Sequence, residues 1–425
     1  MKYQLWNNFS NMADFIKNPL IITRGEGSYV YDKNDKEYVD AISGIWNVNL
    51  GYSRTDIIDF MYEKSNEVTG VSLFGRAHQI GIEYANELLN RLDNDFDAVF
   101  FTTGGSDAVE TAIKISRSFF YHSGKQEKFK IAHFENSYHG VSYGALSVMG
   151  INSNTTGTGP MLPGSITLPK PTSVESSDIH WELIERKLNN ENPDTIAAII
   201  VEPIMGAGGI IPIESIILKK LREYCNHHDI ILIFDEVVTG FGRTGNLFAY
   251  KMHNIRPDLI TVAKGMTAGY APLGGVLVSE KIYELFKTND IVFRHGFTYG
   301  GHPISCAAAY KTLRILLEEN VIDHVRQKEE LLWKYLLDLS FEFDLVQEVR
   351  GKGFMYGLKL DSKFQGIAKT VSVKAQENGL LFRPAEEEVV VVMPPLTSDE
   401  NVLKDIYNKL QKTLHEVSSQ FIGLR

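Results

Sequence analysis

Four short runs in the middle of the chain, apolar almost throughout, constrain the fold more than any other feature of the sequence. Ala98–Thr102 reads AVFFT, Ile196–Val201 reads IAAIIV, Ile230–Phe234 reads IILIF and Leu259–Ala263 reads LITVA. None alternates apolar with polar residues, so each predicts a strand buried on both faces, as in a parallel sheet covered by helices. Helical patterns lie between them, at Asp107–Phe120 and at Ser215–His227, where Ile216, Leu218, Leu221 and Tyr224 are predicted on one side. Strand alternating with helix builds a doubly wound α/β layer.

The ends of the chain read differently. Tyr29–Tyr31 and Tyr38–Val39 flank the turn-rich Asp32–Lys36, which predicts a hairpin. Phe354–Leu360 and Val389–Val392 predict strands, and Asn401–Phe421 predicts an amphipathic helix. A chain of 425 residues exceeds what one core usually supports. The expected division is a large ligand-binding domain at 61–304 and a smaller α+β domain built from both termini, 1–60 and 305–425.

A net charge of −10 excludes the basic footprint of a nucleic-acid binder. Two cysteines exclude a disulfide-built scaffold and fit a reducing compartment. The first residues lack the apolar core of a secretory signal, and no stretch reaches the roughly 18 apolar residues of a membrane span. The expectation is a soluble cytoplasmic protein with neither membrane nor nucleic acid as partner. Neither HExxH nor CxxC occurs, so no metal site is expected.

Ligands of open parallel sheets sit beyond the carboxyl ends of the strands. After AVFFT comes Thr103-Gly104-Gly105-Ser106-Asp107, after IAAIIV Glu202, after IILIF Asp235 and Glu236, and after LITVA Lys264. The glycines let the backbone approach a ligand, Asp107 with Glu110 forms an expected capping pair, and the N–H groups of the helix start suit a phosphate. A plain capped turn explains the same residues. Lys264 alone reads as a surface lysine, but in a desolvated pocket it becomes a nucleophilic amine. Asp235 alone reads as a turn residue. Asp235 and Lys264 are 29 residues apart, about one strand–helix–strand step, so both can face one pocket from neighbouring strands. Phosphate cradle, carboxylate and reactive lysine together suit pyridoxal phosphate, whose aldehyde needs the amine and whose ring nitrogen needs an anionic partner.

The segments SGIWNVNLGY (43–52), FFTTGGSDAVETA (100–112), SYHG (137–140), VEPIMGAGG (201–209), FDEVVTGFGRTG (234–245), AKGMTAGYAPLGG (263–275) and FTYGGHP (297–303) resemble, in order and spacing, the class III (subgroup II) aminotransferases of pyridoxal-phosphate fold type I. The resemblance covers nearly the whole chain, and the first segment, TAGYAPLGG and FTYGGHP look most like ω-amine or ω-amino-acid:pyruvate aminotransferases. It implies a large domain with a mostly parallel sheet sandwiched by helices, and a smaller α+β domain. It also implies ping-pong transfer from a primary amine or ω-amino acid to a keto acid such as pyruvate, by a homodimer or a tetramer built from it.

The resemblance also implies the site. Lys264 forms the Schiff base and shuttles the proton, Asp235 pairs with the ring nitrogen, and Val237 and Tyr138 take the two ring faces. Gly105 and Ser106 donate to the phosphate, His139 and Glu202 join the cofactor site, and Thr298 reaches the neighbouring subunit's phosphate. Trp46 lines the substrate pocket with Phe74 beside it. Arg383 has two readings: a mobile arginine that binds the acceptor carboxylate, or a salt bridge to Glu386, Glu387 or Glu388. The acidic triplet departs from the family's Gly-containing turn. Val238 replaces a glutamine common in relatives, and Met205 makes a pocket wall more apolar.

Other readings compete. A decarboxylase or aminomutase would share the cofactor apparatus. Gly140-Val-Ser142-Tyr-Gly144 matches the nucleophile elbow of a serine hydrolase, but polar, turn-like residues precede it where a buried strand is needed. Gly240–Gly245 matches GxGxxG without a helix opening behind it. A catalytically silent relative is opposed by the intact Lys264, Asp235 and Tyr138.

Overall fold

The computed structural model describes residues 3–170 and 177–422. The four apolar runs become the strands Ala98–Thr102, Ile196–Val201, Ile231–Asp235 and Leu259–Val262. With Lys130–Phe134, Ser165–Leu168 and Gly274–Val278 they form one seven-stranded sheet. Across it the strands run in the order Ala98–Thr102, Gly274–Val278, Leu259–Val262, Ile231–Asp235, Ile196–Val201, Lys130–Phe134, Ser165–Leu168. Only Gly274–Val278 breaks the parallel arrangement, lying antiparallel to both neighbours. Ala98–Thr102 is therefore an edge strand in an antiparallel pair, with its first three residues only half-buried, against the expectation for that run.

The central strands are apolar throughout because both faces are covered. Val201, Phe234 and Val262 face a core shared with Leu218 and Leu221 of the helix Ser215–His227 and with Leu313 of Pro303–Glu318. Ile200, Ile233 and Leu259 face the other side, with Val109 and Ala112 of the helix Gly105–His122. Ser215–His227 buries Ile217 with Leu218, Leu221 and Tyr224 and leaves Ile216 exposed, so the predicted apolar stripe is off by one position at its start.

Near the N-terminus, Tyr29–Asp32 and Glu37–Asp40 pair as the predicted hairpin, whose turn closes on Asp32 Oδ1 accepting from Asn34 N (2.7 Å) and Lys36 N (3.1 Å). Glu37–Asp40 also pairs in parallel with Leu380–Leu381, so this sheet takes its last strand from the far end of the chain. Val346–Lys352, Met355–Leu360, Val389–Val392 and Pro384–Ala385 form a further antiparallel sheet. The helix Glu400–Ile422 buries Leu403, Ile406, Leu410, Leu414 and Val417, the three- and four-residue spacing of one helical face. No described helix is long and apolar enough to cross a membrane.

One buried cation ties these parts together. Arg243 is 0% exposed, and burial lowers its guanidinium pKa to about 9 against the pull of Asp40. Its Nη1 donates to Phe354 O (3.1 Å) and Pro394 O (2.5 Å), and its Nη2 to Asn49 Oδ1 (2.9 Å) and Ser43 Oγ (3.3 Å). The loop after the Asp235 strand is thus bound to both the N-terminal and the C-terminal segments. Arg243→Met strands several buried acceptors, and we expect it to destabilise the protein by about 3–5 kcal/mol in urea unfolding. A loss below about 1 kcal/mol would contradict the role.

Candidate active site

The carboxyl ends of the Ile196–Val201, Ile231–Asp235 and Leu259–Val262 strands open into a cavity of about 1570 Å³. Asp235 ends its strand opposite Thr261, whose Oγ1 donates to Asp235 Oδ1 at 2.9 Å; Val237 N donates to the same oxygen at 3.1 Å. Oδ2 lies 2.7 Å from His139 Nδ1, so that nitrogen carries the proton. The imidazole is wholly buried, and its Nε2 has no hydrogen-bond partner among the described residues. Glu236 does not join this group. It accepts from Ala249 N and Tyr250 N at the start of the helix Ala249–His253, and from Thr239 Oγ1; burial raises its pKa to about 7.

Lys264 follows its strand with φ +46, and Ala268 has φ +50. A non-glycine residue in this left-handed region costs about 1 kcal/mol, a strain that marks a constrained position. The Nζ makes no hydrogen bond or ion pair among the described residues and stands 4.9 Å from the centroid of the Trp46 ring. Burial lowers the Lys264 pKa to about 8; Asp235 and Glu202 pull it up, and Arg383 pushes it further down.

The helix Gly105–His122 starts without a side-chain cap, with Gly104 in extended conformation. The expected Asp107–Glu110 capping pair does not form. Asp107 accepts from Thr103 Oγ1, while Glu110 Oε2 accepts from Ser142 Oγ (3.0 Å) and Gly144 N (2.9 Å). The helix start therefore keeps its N–H donors, with Gly105 and Ser106 lining the cavity. A Cβ on Gly105 would come within 3.0 Å of Val237 Cγ1, which explains the glycine there. Ser142 precedes the short helix Tyr143–Leu146, and its Oγ is bonded to Glu110 and Ser106 O, with no histidine bonded to it among the described residues. The hydrolase reading fails on that geometry.

Glu202 is buried, which raises its pKa to about 7, and it accepts from Tyr138 N and Gly206 N, both at 2.9 Å. Tyr138, Val237, Val238 and Trp46 line the same cavity. Trp46 ends a tight segment in which Ser43, Gly44 and Trp46 have φ of +50, +69 and +63. Asp40 braces this segment by accepting from Ile42 N (3.0 Å), Gly44 N (2.7 Å) and Tyr52 OH (2.6 Å). Trp46 Nε1 is buried without a hydrogen-bond partner among the described residues. Arg383 lies at the rim and forms no ion pair with Glu386, Glu387 or Glu388 among the described contacts.

Phe74 and Thr298 stand apart from this cavity, both exposed, with the Phe74 ring packed on Gly296. Met205 belongs to the core and not to the cavity wall, contrary to expectation. The sequence reading missed Trp6–Phe9, which also line the cavity; two aromatic residues in a polar segment were the only available signal.

The Lys264 amine becomes neutral as pH rises through about 8, so its acylation should titrate with that midpoint and level off above it. Competitive acetic anhydride labelling of the cofactor-free protein, read by mass spectrometry of the Lys264 peptide, measures this. A midpoint near the ordinary lysine value of 10.5 would contradict the desolvated site.

With that geometry in place, comparisons with known proteins identify the family. The class-III aminotransferase profile matches residues 12–414. A probable aminotransferase of Mycobacterium tuberculosis is 33% identical over 99% of this chain and 94% of its own length. The putrescine–pyruvate aminotransferase of Pseudomonas aeruginosa is 32% identical over 96% of this chain and 93% of its own. The crystal structure of an amine transaminase from an uncultivated Pseudomonas species, in its PLP-bound form, superposes with a TM-score of 0.93 at 31% identity, covering 98% of this chain and 99% of that one. The chain belongs to the class-III aminotransferases.

Proposed function

We propose that this aminotransferase uses pyridoxal phosphate to move the amino group of a primary amine or ω-amino acid to a keto acid such as pyruvate, in two half-reactions at Lys264. The observation that carries the reading is the unpartnered, desolvated Lys264 amine in one cavity with an Asp235 carboxylate held by three donors. The residues fit the cofactor: the uncapped helix start at Gly105 and Ser106 offers N–H donors to a phosphate, and Asp235 offers an anion to a ring nitrogen. Bound there, pyridoxal phosphate supplies an aldehyde and an electron-withdrawing ring that stabilises negative charge beside the amino carbon.

Lys264 Nζ, neutral above about pH 8, acts as nucleophile and then carries a proton as general base and general acid. Asp235, its carboxylate fixed by His139 and Thr261, would hold a proton on the ring nitrogen by its charge. Tyr138 and Val237 would hold the two ring faces, with Glu202 ordering the backbone at Tyr138. Trp46 walls the substrate side, and Arg383 at the rim would bind the carboxylate of the acceptor. The division into a large cofactor-binding part at 61–304 and a small part from 1–60 and 305–425 belongs to this reading.

Thr298 and Phe74 serve the partner subunit's site in this reading. Phe74 is 61% exposed, and Val292 and Tyr299 beside the Thr298 segment are 68% and 67% exposed, an apolar surface suited to a second copy of the chain. The working unit is accordingly a homodimer, or a tetramer built from it.

A panel of amine donors, with pyruvate and 2-oxoglutarate as competing acceptors, tests the reading. It predicts equimolar carbonyl product and amino acid, with parallel-line kinetics. Release of carbon dioxide without an amino-acid product would favour a decarboxylase, and migration of the amino group within one substrate would favour an aminomutase. Lys264→Ala should lower kcat by roughly 10²–10⁴-fold from the proton-transfer role alone; full turnover by this variant would contradict the assignment.

A further inference from the structure

Arg383 sits among carboxylates and pairs with none of them among the described residues. Its backbone root is fixed: Pro384 restricts the residue before it to extended conformations. Pro384–Ala385 then pairs antiparallel with Val389–Val390, inside a strand that is buried throughout. Three acidic residues follow, yet Glu386, with φ +54, accepts from Asn136 Nδ2, and neither Glu387 nor Glu388 forms an ion pair with the guanidinium. The guanidinium carbon instead stands over the Phe9 ring, 5.7 Å from its centroid, within the roughly 6 Å range of a cation–π contact.

Phe9 lies in a locally folded segment. Asn7 N donates to Met12 Sδ at 3.3 Å, Asn11 Oδ1 accepts from Ala13 N and Asp14 N at the start of Met12–Phe15, and the Tyr3 and Phe15 rings pack 5.5 Å apart. This strap brings Trp6–Phe9 to the cavity that contains Lys264.

The two kinds of contact differ in what they leave available. A salt bridge to Glu386 would occupy the N–H edge of the guanidinium, which is the edge that binds a substrate carboxylate in a planar fork. A contact with an aromatic ring uses no hydrogen-bond acceptor and leaves the N–H donors unspent. Resting on the reading of Arg383 given above, we propose that Phe9 is a positioning residue for Arg383: its ring holds the guanidinium at the cavity rim, with the N–H donors left for the carboxylate of the keto-acid acceptor.

The test compares Phe9→Leu, which removes the ring, with Phe9→Tyr, which keeps it, and includes Arg383→Ala as control. Propionate, a carboxylate that cannot react, is titrated into each holoenzyme by calorimetry, and KM values are measured for pyruvate and for a donor without a carboxylate. Phe9→Leu should weaken propionate binding roughly 2- to 5-fold and raise the ratio of pyruvate KM to donor KM by a similar factor. Phe9→Tyr should behave like the parent, and Arg383→Ala should lose most of the propionate affinity. If Arg383→Ala leaves propionate binding unchanged, the carboxylate role of Arg383 falls and the Phe9 proposal falls with it. If Arg383→Ala weakens binding but Phe9→Leu does not, or if both Phe9 variants shift alike, the Phe9 proposal alone is overturned.

Discussion

A lysine amine kept out of water, near carboxylates it does not touch, sets the terms for this site. At the effective dielectric of a protein, a contact ion pair at about 4 Å is worth about 4 kcal/mol and would lock the lysine in its charged form. Here both candidate partners are already occupied. Asp235 is taken up by His139, Thr261 and the Val237 amide, and Glu202 by the amides of Tyr138 and Gly206. Desolvation therefore outweighs attraction, and the Lys264 pKa falls to about 8. Burial is what leaves the amine reactive, and the hydrogen bonds that satisfy the carboxylates keep them from closing on it.

The site is built from distant parts of the chain, and its backbone is strained where it meets the cavity. Ser43, Trp46, Lys264 and Ala268 all have left-handed φ values. Such conformations persist only where the surroundings over-determine them. Around Ser43 and Trp46, two buried polar clusters do so. Asp40 gathers the amides of the Trp46 segment, and Arg243 joins that segment to the loop after the Asp235 strand and to the carbonyls of Phe354 and Pro394. Fold stability and the shape of the cavity wall at Trp46 thus share the same side chains.

Asp235 and Lys264 were legible because each ends an apolar run, and the parallel pairing of those runs places both at one edge of the sheet. Less could be read where non-local contacts decide. Asp235 and Glu236 are adjacent carboxylates with the same local pattern, and the helix start at Ala249 together with Thr239 draws Glu236 away. Glu110 keeps the spacing of a capping box, but Ser142 and Gly144 compete for it. The direction of Gly274–Val278 depends on where its neighbours lie, which no residue within it encodes. Ile216 and Ile217 differ by one position, a 100° turn of the helix that a short window does not resolve. Phe9 lies in a segment without periodicity, and its place beside Arg383 follows from the folding of the strap.

The central claim is that Lys264 is the residue that holds the cofactor. The most direct measurement incubates the protein with pyridoxal phosphate, reduces it with borohydride and maps the labelled peptides by mass spectrometry. The account predicts one dominant pyridoxyl adduct on the Lys264 peptide, formed together with a visible absorbance band that the reduction removes. An adduct spread over surface lysines, or stoichiometric labelling at another single lysine, would contradict it.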